Sequence, residues 1–140
     1  MPNTRPLSPH LGIYRWRVNM WQSTLHRLTG LYISLGAILV TWGLVAAASG
    51  GSAWNVFAGF CASWIGQILL FLWTWALLFH LCNGVQHLLR DAGVNYGPPR
   101  RDRTFSPAYW PAGWIIIAIS VVLTVAVWVL LILRVAGGAA

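Results

Sequence analysis

The sequence predicts an all-α membrane protein with three transmembrane helices, and three observations carry that prediction. Hydrophobic residues make up 58% of the 140-residue chain and charged residues only 8%, far from the balance of a water-soluble domain. Three windows, at about Leu28–Ala48, Ala62–Leu89 and Ala112–Leu133, are apolar over the ~20 residues a helix needs to cross a bilayer. The arginines are lopsided as well. Arg5, Arg15, Arg17 and Arg27 precede the first window, Arg90, Arg100, Arg101 and Arg103 follow the second, and only Arg134 lies at the far end of the third. An odd number of spans puts the N-terminus and the 90–110 connection on one side, and the positive-inside rule makes that side cytoplasmic. The net charge of +7 is therefore a topology signal first and a subunit-docking surface second, not a nucleic-acid footprint. One small membrane-anchor domain, 1–140, accounts for the whole chain.

Residues 1–22 read as a cytoplasmic or interfacial arm. Pro6 and Pro9 favour extended backbone, and Tyr14, Trp16 and Trp21 alternate with Arg15 and Arg17 in the manner of a segment at headgroup level. No secretory signal is expected, because a long, mostly polar stretch precedes the first apolar run. The lack of an Arg/Ser-rich amphipathic leader favours a bacterial plasma membrane over a mitochondrial inner one.

Ser23-Thr24-Leu25-His26-Arg27-Leu28-Thr29-Gly30 leads into the first span. Ser23 suits a helix N-cap. Ser23, His26 and Arg27 also share a broad helical face through their i, i+3 and i, i+4 spacing. A hydroxyl beside a guanidinium offers neutral and charged donors to a carbonyl oxygen at the membrane edge. The alternative for Arg27 is an interfacial arginine that snorkels to headgroups. Ala48–Ser52 reads as an outer turn, followed by a short interfacial helix from about Trp54. Cys61 and Cys82 have no motif spacing and read as buried, unreactive thiols.

The second window ends in His80-Leu81-Cys82-Asn83-Gly84-Val85-Gln86-His87-Leu88-Leu89-Arg90-Asp91, with no charged residue between Leu28 and Phe79. Residues seven apart on a helix share a face ~10.5 Å apart along the axis, too far for one ion to bind both rings. A planar cofactor can use both, with His80 on a central metal and His87 near its edge. Gly84, one turn after His80, leaves room for a flat ring. Counting back from Arg90-Asp91, His87 lies ~5 Å and His80 ~15 Å below the inner interface. An ionisable group so deep is a functional candidate, and haem fits this spacing first. His80 as a histidine hydrogen-bonded to a neighbouring helix, and His87 as an interfacial histidine, remain open from the residues alone. The 91–111 connection is rich in Gly, Pro and Arg, and the third span, with only Ser120 and Thr124 polar in its middle, is assigned to packing. Two aspartates, no glutamate and no Gly-rich nucleotide loop exclude acid–base hydrolysis or a flavin domain within this chain.

Three motifs, Arg5-Pro6-Leu7-Ser8-Pro9-His10-Leu11, Ser23-x-x-His26-Arg27-x-x-Gly30 and His80-x-x-x-Gly84-x-x-His87-x-x-x-Asp91, together resemble the cytochrome b membrane-anchor subunit of succinate dehydrogenase, the larger hydrophobic subunit of respiratory complex II. The resemblance covers nearly the whole chain. It implies half of a haem-binding helical bundle, completed by a second hydrophobic anchor subunit, that docks an iron–sulfur subunit and a flavoprotein subunit. It implies that His80 is an axial ligand of haem b, with the other ligand from the partner anchor. His26, Arg27 and His87 then lie on the haem propionate side, and Ser23 and Arg27 bind ubiquinone. Three other readings stand beside it: a haem-free scaffold for a soluble dehydrogenase, a fumarate reductase anchor, and the cytochrome b anchor of another membrane dehydrogenase or hydrogenase.

Overall fold

The computed structural model describes residues 16–94 and 109–138, with side chains from residue 111 onward in the second stretch. The first motif, with His10, and the arginines at 100, 101 and 103 lie outside the described residues. The described chain is helical: α1 (Val18–Ser49), α2 (Gly51–Ala62), α3 (Trp64–Asp91) and α4 (Tyr109–Gly138). Within a bilayer every backbone N–H and C=O must be bonded inside its own segment, which long unbroken helices achieve. At ~1.5 Å per residue the 32, 28 and 30 residues of α1, α3 and α4 extend ~48, ~42 and ~45 Å. Three helices are thus long and apolar enough to cross a membrane, in agreement with the three windows of the sequence.

Several boundaries differ from the expectations, each for a physical reason. α1 begins at Val18 with Arg17 at its N-cap, so Ser23 lies inside the helix and caps nothing. No proline or glycine interrupts residues 18–29, and burial of Val18, Gln22 and Thr29 along one stripe carries the helix upstream of its apolar window. The outer turn shrinks to Gly50, whose φ of 97° separates α1 from α2 in a conformation that favours glycine. The expected short helix is α2, and it ends at Ala62. Ser63 then caps α3, its hydroxyl oxygen accepting a hydrogen bond from the Gly66 N–H at 3.1 Å. Cys61 and Cys82 are free but only half-buried, because a bundle of so few helices has little interior.

α1, α3 and α4 pack on one another, and α2 lies against α1 and α3 with the Phe57 ring edge-on to Trp42 at 5.1 Å. α3 returns antiparallel to α1, so the start of α1, the end of α3 and the start of α4 share one end of the molecule. The interior is unusual in kind. Among the described residues the buried hydrophobic side chains are Val18, Ala46, Ala76 and Phe79, while Gln22, Thr29, Asn83, Gln86, Ser120 and Thr124 are buried and polar. Ser120 and Thr124 return their hydroxyls to carbonyls of α4, at Ile117 and Ser120, as suits a packing helix. Large apolar residues such as Leu31, Ile38, Val122 and Leu130, each 63–67% exposed, cover the outside. Small and polar residues inside with apolar residues outside is the pattern of helices whose surroundings are lipid or another apolar subunit.

Gly113 marks the closest approach of α4 to α1. A Cβ there would lie 2.7 Å from Gln22 Oε1 and 2.8 Å from Val18 Cγ2, inside van der Waals contact. Gly113→Val is expected to destabilise the protein by about 1–3 kcal/mol through overpacking, read as a lowered Tm of the detergent-solubilised protein. Gly137→Val, where a Cβ meets nothing within 4 Å, is expected to leave the Tm unchanged.

Candidate functional site

Three histidines that the sequence separates come together where α1 crosses α3. The His26 ring from α1 stacks on His80 from α3 with centroids 3.8 Å apart and planes 12° from parallel. His87, two turns along α3, tilts toward His26 at 5.7 Å. His26 and His80 are half-buried and His87 is exposed. His26 Nδ1 is buried with no hydrogen-bond partner. His80 Nδ1 lies 3.2 Å from Thr29 Oγ1, and among the described residues no hydrogen bond reaches its Nε2. A Cβ at Gly84, one turn after His80, would touch nothing within 4 Å. No group of three potential metal ligands converges among the described residues. A metal centre here would draw on single histidines of this chain.

A second set of residues, which the sequence reading did not single out, holds this crossing together. Gln22 is fully enclosed, and its side-chain N–H groups donate to Asn83 Oδ1 at 3.0 Å and Gln86 Oε1 at 2.9 Å. One amide from α1 thereby satisfies acceptors one turn apart on α3, which fixes the helices in both rotation and register. The signal available in the sequence was three amide side chains at the same end of two apolar spans.

Ser23 and Arg27 share one face of α1, as their spacing requires, and both are exposed. Among the described residues neither side chain makes a hydrogen bond. At 100° per residue the Ser23–Arg27 face is turned roughly 100–160° from the Gln22–Thr29 stripe buried against α3. His26 falls between the two faces. Ser23 and Arg27 therefore face away from α3, while His26 faces the groove against it.

Comparison with known proteins identifies the lineage of this arrangement. Residues 1–127 match the family described as succinate dehydrogenase/fumarate reductase transmembrane subunit. The chain belongs to this family. It is 43% identical to the succinate dehydrogenase cytochrome b556 subunit of Paracoccus denitrificans over 89 residues, 64% of this chain and 68% of that protein. It is 32% identical to the subunit of the same name from Rickettsia felis over 127 residues, 91% of this chain and 93% of that protein. The mitochondrial cytochrome b560 subunit of Mus musculus is 34% identical over 102 residues, 70% of this chain and 59% of that protein. The match spans α1, α2, α3 and most of α4, so the histidine crossing and the Gln22 clamp both lie within the family's transmembrane unit.

Removing the clamp tests its energetic role in this anchor. Gln22→Ala strands two buried acceptors and is expected to cost about 1–2 kcal/mol, at ~0.6 kcal/mol or more per interhelical hydrogen bond. Asn83→Leu is expected to cost less, since Asn83 Nδ2 is already unpartnered and Gln22 keeps its bond to Gln86. Thermal unfolding of the solubilised protein measures both, and equal losses would contradict the arrangement.

Proposed function

We propose that this chain is the haem-carrying anchor of a succinate:quinone oxidoreductase in a bacterial plasma membrane, with its N-terminus on the cytoplasmic side. One observation supports this reading above the others: His80 is half-buried in a long apolar helix, among the described residues no hydrogen bond reaches its Nε2, and one turn on a Cβ at Gly84 would touch nothing within 4 Å. Neutral imidazole with a free ring nitrogen is a good axial donor to haem iron. The names of the relatives, cytochrome b556 and b560 subunits, agree with that chemistry. Haem b, held by His80 and by a second hydrophobic anchor, would supply a one-electron redox centre and two anionic propionates. His26, Arg27 and His87 serve the propionate side. The Arg27 cation stabilises an anion in a partly desolvated setting.

Ser23 and Arg27 form this chain's share of a ubiquinone site. The hydroxyl and guanidinium together donate to one quinone carbonyl while electrons arrive from succinate through an iron–sulfur subunit docked, with its flavoprotein partner, on the same side. Their exposure and their lack of hydrogen bonds among the described residues support that role, since the remaining walls come from other subunits. The chain oxidises no succinate itself.

Two measurements test the reading. A reduced-minus-oxidised optical spectrum of the purified complex is expected to show a sharp b-type signal that His80→Ala abolishes. Survival of that signal in the assembled variant would remove His80 as the ligand. Arg27→Leu is expected to cut quinone reduction by 10²-fold or more, in line with losing a charged hydrogen bond worth ~3 kcal/mol. Succinate oxidation by a soluble dye stays intact in the same variant. Quinone reduction at the unmodified rate would sink the site.

A further inference from the structure

We infer that Thr29 is a positioning residue for His80: its hydroxyl fixes the imidazole as the Nδ1–H tautomer, leaving Nε2 as the nitrogen that binds metal. The inference rests on His80 being the axial ligand proposed above.

One proton decides the tautomer. Thr29 is 4% exposed, so solvent has no part in its bonding. Its hydroxyl lies 2.7 Å from the carbonyl oxygen of Leu25 and 3.1 Å from that of His26 on its own helix, and 3.2 Å from His80 Nδ1. A hydroxyl has one hydrogen to give and lone pairs to receive. The Leu25 distance is the ordinary length of an O–H···O bond, whereas 3.2 Å is long for a hydroxyl donating to nitrogen. The hydrogen therefore goes to the backbone, and Thr29 turns a lone pair toward Nδ1. A bare Nδ1 would oppose two lone pairs at hydrogen-bond distance in a part-buried site; a protonated one makes a bond. With the neutral ring's proton on Nδ1, the free pair is on Nε2.

Two further contacts hold the ring in the orientation this bond needs. A Cβ at Gly30 would sit 3.1 Å from His80 Cε1 and 3.6 Å from Nδ1, so the ring rests against the α1 backbone where glycine stands. On its face the ring is stacked by His26 at 3.8 Å. Thr29 and Gly30 are consecutive, and between them they give His80 a hydrogen-bond acceptor and a seat. An imidazole whose outer N–H donates to an oxygen is a more basic metal donor, and such outer partners of ligating histidines tune the metal they serve. A more basic donor favours the oxidised iron, so Thr29 lowers the reduction potential of the haem.

The test is a spectroelectrochemical titration of the b-type signal in the intact complex. Thr29→Val keeps the branched shape and loses the acceptor. The signal is expected to persist with a midpoint shifted upward, on the order of a tenfold change in the oxidised-to-reduced ratio, or about 59 mV for one electron. Thr29→Ser restores the hydroxyl and is expected to return the midpoint to that of the unmodified complex. If Thr29→Val fails to assemble, Thr29→Ala removes the hydroxyl without the added methyl and is read in the same way. An unshifted midpoint in the hydroxyl-free variant overturns the inference, as does a Ser variant displaced as far as the Val or Ala variant. The two readings fail separately. A b-type signal that survives His80→Ala refutes the ligand, whereas loss of signal in that variant with an unshifted Thr29→Val midpoint refutes only the role of Thr29.

Discussion

A polar side chain inside a hydrocarbon layer has no water to bond, so each one must find its partner within the protein. That constraint organises the crossing of α1 and α3. Gln22 meets Asn83 and Gln86, and about two turns further along α1, Thr29 meets His80. The pairs run in opposite directions along the two helices, as antiparallel packing requires. Because they are directional, they set which way each helix is turned. Leucine and valine, interchangeable against lipid, cannot do this. With α1 and α3 locked in rotation, His26 faces His80 across the groove, while Ser23 and Arg27 are turned away from it. The open side of His80 and the exposed face of Arg27 both follow from where the amides are.

The same bundle is half a structure in an energetic sense. Its buried hydrophobic side chains are few, and its outer surface is a continuous coat of leucine, isoleucine, valine and tryptophan. In water this would be an aggregation surface; against acyl chains or a second anchor it carries no penalty. Membership of the succinate dehydrogenase/fumarate reductase transmembrane family makes a second subunit the natural neighbour for part of it. On the proposed reading the haem lies between the two anchors, so neither buries it alone.

Much of this was legible in the sequence, and what was not has a common cause. The three long helices, the short one after the outer turn and the shared end of the histidines follow from uncharged run lengths, because hydrocarbon thickness acts on single segments. The start of α1 does not follow from local rules. Ser23 looks like a cap and is not one, because packing of Val18 and Gln22 against α3 and α4 extends the helix to Val18. Ser63, a cap of the same chemistry, went unremarked because nothing local distinguishes it. Thr29 reads as one more small residue at a span's edge, and Asn83 and Gln86 as filler between two histidines. Their roles depend on which residue of another helix they face, and that is settled by tertiary register.

Two polar atoms at this crossing remain buried without a partner: His26 Nδ1 and Asn83 Nδ2. Folded proteins leave few such groups, since each costs the desolvation of a donor or acceptor with nothing regained. They belong to facing helices at the same end of the molecule, His26 next to Arg27 in the chain and Asn83 one turn before His87. On the proposed reading, an anionic group on this side would meet Arg27 and His87, which are both exposed. A haem propionate, as proposed, has the charge and the reach for that. The bonded amides hold the helices in place, and Arg27 and His87 are left exposed beside them.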